Sequence, residues 1–116
     1  MKIHPIADIF PMMEDSELEQ LAQDICENGL LHPVVTWSDL VIDGRNRLAA
    51  CEKIGVAPRF EAKRFTDELE VIGFIVSANI RRRHLNPGQR AMIGEELRAP
   101  LEAAARERQR LGGIEA

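Results

Sequence analysis

A chain of 116 residues, 45% hydrophobic and 29% charged, is sized for one globular domain with a modest core of its own. A formal net charge of −4 argues against a protein that coats nucleic acid by bulk charge. Aromatics at 4%, with no Tyr and a single Trp37, exclude an aromatic platform for stacking bases.

Residues 1–15 read as extended, with Ile3 and Ile6 flanking Pro5 and with Pro11 after Phe10. The first helix is predicted from the capping box Ser16-Glu17-Leu18-Glu19, and Leu18, Leu21, Ala22 and Ile25 form its apolar face. Gly29 is its left-handed C-cap. Val34–Trp37 and Leu40–Ile42 read as two strands joined by Ser38-Asp39, a β-hairpin. A helix follows Asp43-Gly44 and runs to about Ile54, where Gly55 ends it, and Pro58–Ala62 reads as a third strand. Asp67-Glu68-Leu69-Glu70 is a second capping box, and its helix, with Leu69, Ile72 and Val76 on one face, is expected to end near Ala78. Asn86 caps the last helix and Pro87 takes its first position; Pro100 is expected to kink or split it, and Gly112-Gly113 to end it. Leu97 and Leu101 lie on one stripe of that helix. The order defines a small α+β domain: a short mixed sheet, a hairpin and about four helices.

Cys26 and Cys51 form no Cys-x-x-Cys pair, which excludes a zinc ribbon and a thioredoxin-like motif. Two reduced, buried thiols are expected, with a disulfide as the other arrangement. No apolar run approaches membrane length and no signal peptide opens the chain, so a cytoplasmic protein without a membrane partner is expected.

Two stretches carry candidate chemistry. Ile42-Asp43-Gly44-Arg45-Asn46-Arg47 runs from a strand through a glycine into a helix N-terminus, where backbone amides and the helix dipole favour an anion. Arginine in a first turn opposes the dipole, and a phosphate would reconcile the arrangement. A plain glycine turn with two solvated arginines is the plainer alternative. The second stretch, Ala78-Asn79-Ile80-Arg81-Arg82-Arg83-His84-Leu85-Asn86, reads as a basic loop between helices, or simply as a solvated linker. No His or acid at metal-ligand spacing supports His84 as a ligand, so no metal site is expected. Glu27-Asn28-Gly29-Leu30-Leu31-His32-Pro33 reads locally as a helix stop and a strand start.

These stretches together resemble the ParB N-terminal domain of the ParB/sulfiredoxin superfamily, closest to plasmid- and phage-type members, over roughly residues 3–95. The matching boxes are Gly29-Leu30-Leu31-His32-Pro33, Asp43-Gly44-Arg45-Asn46-Arg47, Ala78-Asn79-Ile80-Arg81-Arg82 and Leu85-Asn86-Pro87. The resemblance implies a nucleotide-binding domain over 1–95 with a helical extension over 96–116. It implies a nucleoside triphosphate, CTP or ATP, with or without Mg2+. Gly44–Arg47 would cradle the phosphates, Asn79 and Arg82 would approach them, and Gly29, Leu31 and His32 would border the base. DNA is the implied partner, through a region or protein beyond this chain, and a homodimer is a further expectation. The box that carries a metal-holding glutamate in ParB has Ala78 here, and the sulfiredoxin nucleophile position holds Arg45 or Asn46 rather than a cysteine. The alternatives are an NTP-dependent enzyme of the superfamily (nuclease, NTPase or small-molecule kinase), using acids such as Glu14, Asp15, Asp39 and Asp43, or an interaction domain whose pocket has decayed.

Overall fold

The computed structural model describes residues 1–82 and 85–115. It is an α+β protein whose chain divides into two compact units, Met1–Arg64 and Phe65–Ala116. No helix among the described residues is long and apolar enough to cross a membrane.

The first unit begins with β1 (Lys2–Ile3) and α1 (Pro5–Ile9). The extended reading of residues 1–15 therefore fails at α1. Pro5 starts the helix with its fixed φ, and buried His4 caps it, Nδ1 accepting the Ile6 N–H at 3.0 Å. Next is α2 (Asp15–Asn28), which starts one residue before Ser16, so the Ser16 capping box does not form. Asp15 and Glu17 in its first turn complement the dipole instead. At Gly29 the φ of +78° lets the chain leave the helix, and its N–H still donates to the Ile25 carbonyl at 2.8 Å.

The hairpin forms as expected from β2 (Val34–Trp37) and β3 (Leu40–Asp43), paired antiparallel. Ser38 and Asp39 both have positive φ, 49° and 62°, the handedness that two-residue hairpin loops require. The register slips between Val35 and Thr36, where Val35 pairs with Asp43 and Thr36 with Val41, so Ile42 is the extra residue on β3. After α3 (Arg45–Ile54), capped at Gly55, comes β4 (Phe60–Ala62). The sheet order is β1-β3-β2-β4, with β1 parallel to β3 and β4 parallel to β2.

The amphipathic pattern of α2 explains the core. Ala22 and Ile25 pack against Ala50 and Cys51 of α3, with Leu18, Leu21, Leu30 and Ile54 around them. Leu48, also on α3, packs on Val34 and Val41 of the sheet, beside Ile3. So α3 is held on one side by α2 and on another by the sheet. Cys51 is buried, and burial, with the nearby Glu52 charge, pushes its thiol up. Cys26, expected to be buried, is exposed: it follows Ile25 on α2 and falls off the apolar face. Both thiols are free.

The second unit is a helical hairpin of α4 (Glu68–Arg82) and α5 (Pro87–Glu115). Asp67 accepts the Glu70 N–H at 3.0 Å, the first half of the expected cap. Helix α4 runs past Ala78, so residues 79–82 are its last turn rather than a loop. No helix breaker follows Gly73 until Asn86-Pro87, and arginine suits a helix C-terminus. Arg83 and His84 lie outside the described residues. At the start of α5, Asn86 and Gln89 cap each other, side chain to backbone, at 2.8 and 3.1 Å. Neither Pro100 nor Gly112-Gly113 interrupts this 29-residue helix. Pro100 removes one donor, but the flanking turns and buried Ile93, Leu97 and Ala104 carry the helix through; Leu101 stays partly exposed. Near the far end, Arg108 grips Asp67 through Nε and Nη2 at 2.6 and 2.7 Å, which pulls the Asp67 carboxyl down to about 2.

Candidate functional site

The site in the first unit is built around one glycine. Gly44 ends β3 and begins α3 with φ 94° and ψ 22°, a left-handed conformation. A β-carbon there would lie 2.8 Å from Arg47 Nη2, 3.0 Å from its Nε and 3.1 Å from the Val34 Cα. Glycine is thus needed twice, for the turn and for the guanidinium seated on it. The α3 N-terminus has no side-chain cap and no acid in its first turn. Its dipole end is complemented by nothing in the helix itself.

The two arginines of that turn have different environments. Arg45 has only 11% of its side chain exposed. Its Nη1 donates to Asp8 Oδ1 at 3.2 Å, and its Nη2 donates to the Phe10 carbonyl. Burial pushes this guanidinium down from its ordinary value, and Asp8 pulls it back up. Asn46 works alongside, its Oδ1 accepting the Met13 N–H at 3.1 Å. Both residues, predicted to face a ligand, hold the segment that follows α1 onto the start of α3. Arg47 instead pairs with Asp43 at 3.3 Å, one helical turn back, and both side chains are largely buried.

Arg47 also borders a small cleft of about 80 Å3. Gly29, Leu30, Leu31 and His32 line its other side, and Leu21, Asp24 and Ile25 of α2 close it. Leu31 is 67% exposed, and its carbonyl is held by Arg59 Nη2 at 3.3 Å. The fold therefore gathers Gly29, Leu31, His32 and Arg47, with Asp43 and Gly44 behind Arg47. Asn79, Arg81 and Arg82 belong to the second unit, in α4, and Asn79 spends an Nδ2 donor on the Ile75 carbonyl at 2.8 Å. The sequence reading missed Asp8 and the Phe10 carbonyl, whose partner lies 35 and more residues away. It also missed Asp24; only the apolar face of α2 running into Gly29 signalled that wall of the cleft.

Ala78, a buried methyl, offers no ligand atom. Among the described residues no three His, Cys, Asp or Glu side chains gather as ligands. No family model, curated protein or solved structure matches this chain.

Proposed function

We propose that the first unit is a nucleoside-triphosphate-binding module of a DNA-associated protein, with phosphate received at the α3 N-terminus and the base beside Gly29–His32. The observation that carries this reading is the cleft that brings Gly29, Leu31 and His32 against Arg47, next to an uncapped helix start. The positive end of the α3 dipole favours an anion there, with Arg47 as the cation to receive it. Asp43 already occupies part of the Arg47 fork, so an incoming phosphate exchanges with a carboxylate rather than meeting a bare cation. Arg45 and Asn46 support the reading indirectly, by fixing the first turn of α3 from the other side.

The test is thermal unfolding with ATP, CTP, GTP and UTP, each with and without magnesium. Ligand at a hundred times its dissociation constant adds about 2.7 kcal/mol of stability. A shift with one base over the others, abolished in Arg47→Ala, is the expected outcome. The small cleft favours a second reading, an interaction domain, because ligand pockets usually measure about 300 Å3 or more. No shift with any nucleotide at millimolar concentration decides for that second reading.

A further inference from the structure

We propose that the outer edge of β4 joins two copies of this chain, paired antiparallel about a two-fold axis at Ala62. β4 is an end strand of the sheet, and every residue from Arg59 to Arg64 is exposed, Phe60 by 45%. The hydrogen bonds fix which backbone groups face outward. The Arg59 carbonyl accepts the Val34 N–H at 2.8 Å, and the Lys63 N–H donates to the Thr36 carbonyl at 2.9 Å. Residues 59 and 63 thus face β2. Direction alternates along a strand, so Phe60 and Ala62 point their N–H and C=O groups away from the sheet, and Arg64, just past the end of β4, would do the same once pairing extends the strand. Such an edge is a template for another strand.

Charge then selects the register. With the axis at Ala62, that residue meets its own copy in a hydrogen-bonded pair, and Phe60 meets Arg64 in the next such pair on each side. Glu61 meets Lys63 between them, where opposed side chains lie closest. Each pairing is favourable: carboxylate with ammonium, ring with guanidinium, small with small. Neighbouring registers are not. An axis at Glu61 sets Glu61 against Glu61 and Arg59 against Lys63; an axis at Lys63 sets Lys63 against itself. An axis at Phe60 puts Pro58, which has no N–H, into a hydrogen-bonded pair. Charges that guard an edge against pairing work by like-charge repulsion, whereas Glu61 between cations complements its own copy.

A junction this small belongs to the weak class of interfaces. The experiment is sedimentation velocity on the full chain across roughly 10 μM to 1 mM, where such interfaces associate. The wild type is expected to pass from monomer to dimer in that range. Glu61→Lys and Lys63→Glu each raise the dimer dissociation constant by about tenfold, since both symmetry-related pairs turn repulsive. The double variant E61K/K63E restores complementarity and with it the dimer. Ala62→Pro leaves the melting temperature near that of the wild type, because the N–H it removes faces outward, yet abolishes the dimer. A monomer at every concentration overturns the proposal, and so does a dimer indifferent to the single charge reversals or not rescued by the double one.

Discussion

Replacing Gly44 by Ala tests how the α3 start is built. Two costs arise. An L-residue in a left-handed conformation loses about 1–2 kcal/mol relative to glycine. The added methyl group then crowds Arg47, 2.8 Å away at Nη2, and the Val34 backbone at 3.1 Å. The arginine can swing aside, but the Val34 Cα belongs to a buried strand and moves only with the sheet. Crowding of this kind adds about 1 kcal/mol. At roughly 4 °C per kcal/mol for a chain of this length, the melting temperature falls by about 8–12 °C. Gly55→Ala is the matched control: its φ is +71°, and nothing lies within 4 Å of an added β-carbon. It carries the conformational cost alone. Thermal unfolding by circular dichroism on both variants separates the two terms. A loss in Gly44→Ala no larger than in Gly55→Ala would refute the crowding argument. It would also remove the reason for placing Arg47 where it is.

Arg45 and Arg47 are expected to separate by assay: Arg45→Ala lowers stability by about 1.5–3 kcal/mol by chemical denaturation, because a buried charge-assisted tie is lost. Arg47→Ala weakens nucleotide binding by tenfold or more, as titration calorimetry would show, and equal binding losses in both variants would reject the division. Asp67 has a folded-state pKa depressed to about 2, so its contribution is complete above its unfolded value of about 4 and disappears as pH falls from there towards 2. Asp67→Asn should remove that part of the acid unfolding curve, and an unchanged curve would show that the Arg108 contact is energetically idle. Asp39→Gly should raise the urea midpoint by the equivalent of about 0.5–1 kcal/mol, since a positive φ of 62° favours glycine in this turn; a lower midpoint would count against the hairpin geometry.

Local chemistry made much of this fold legible. The hairpin, α3 and the apolar face of α2 followed from β-branched runs, glycine punctuation and helical spacing. Helix α1 was hidden because histidine is an uncommon cap, although Pro5 at the first helical position was a usable sign. The end of α4 was misplaced because a run of arginines reads as a polar loop, although nothing in residues 79–82 breaks a helix. Pro100 misled for the opposite reason: a breaker by local rules, it is overridden by packing on both sides. In the site, Gly44 and its turn were readable from the strand-glycine-helix pattern. The separate duties of Arg45 and Arg47 were not, because Asp8 stands 37 residues before Arg45 and no local pattern links them.

The sheet order also constrains time. Among the described residues only the β2–β3 pairing is local; β1 and β4 join it from either flank in parallel, across longer stretches of chain. A hairpin closes in about 1–10 μs, whereas parallel additions wait on slower loop closure. During synthesis Ile3, Ile6 and Phe10 are made, and emerge, roughly 31 to 38 residues ahead of Val41, the strand residue opposite Ile3. At roughly 5–20 residues per second, those apolar side chains spend about two to eight seconds without their docking surface. The strand and helix over residues 2–9 therefore wait on the hairpin, and its closure is the event that ends their exposure.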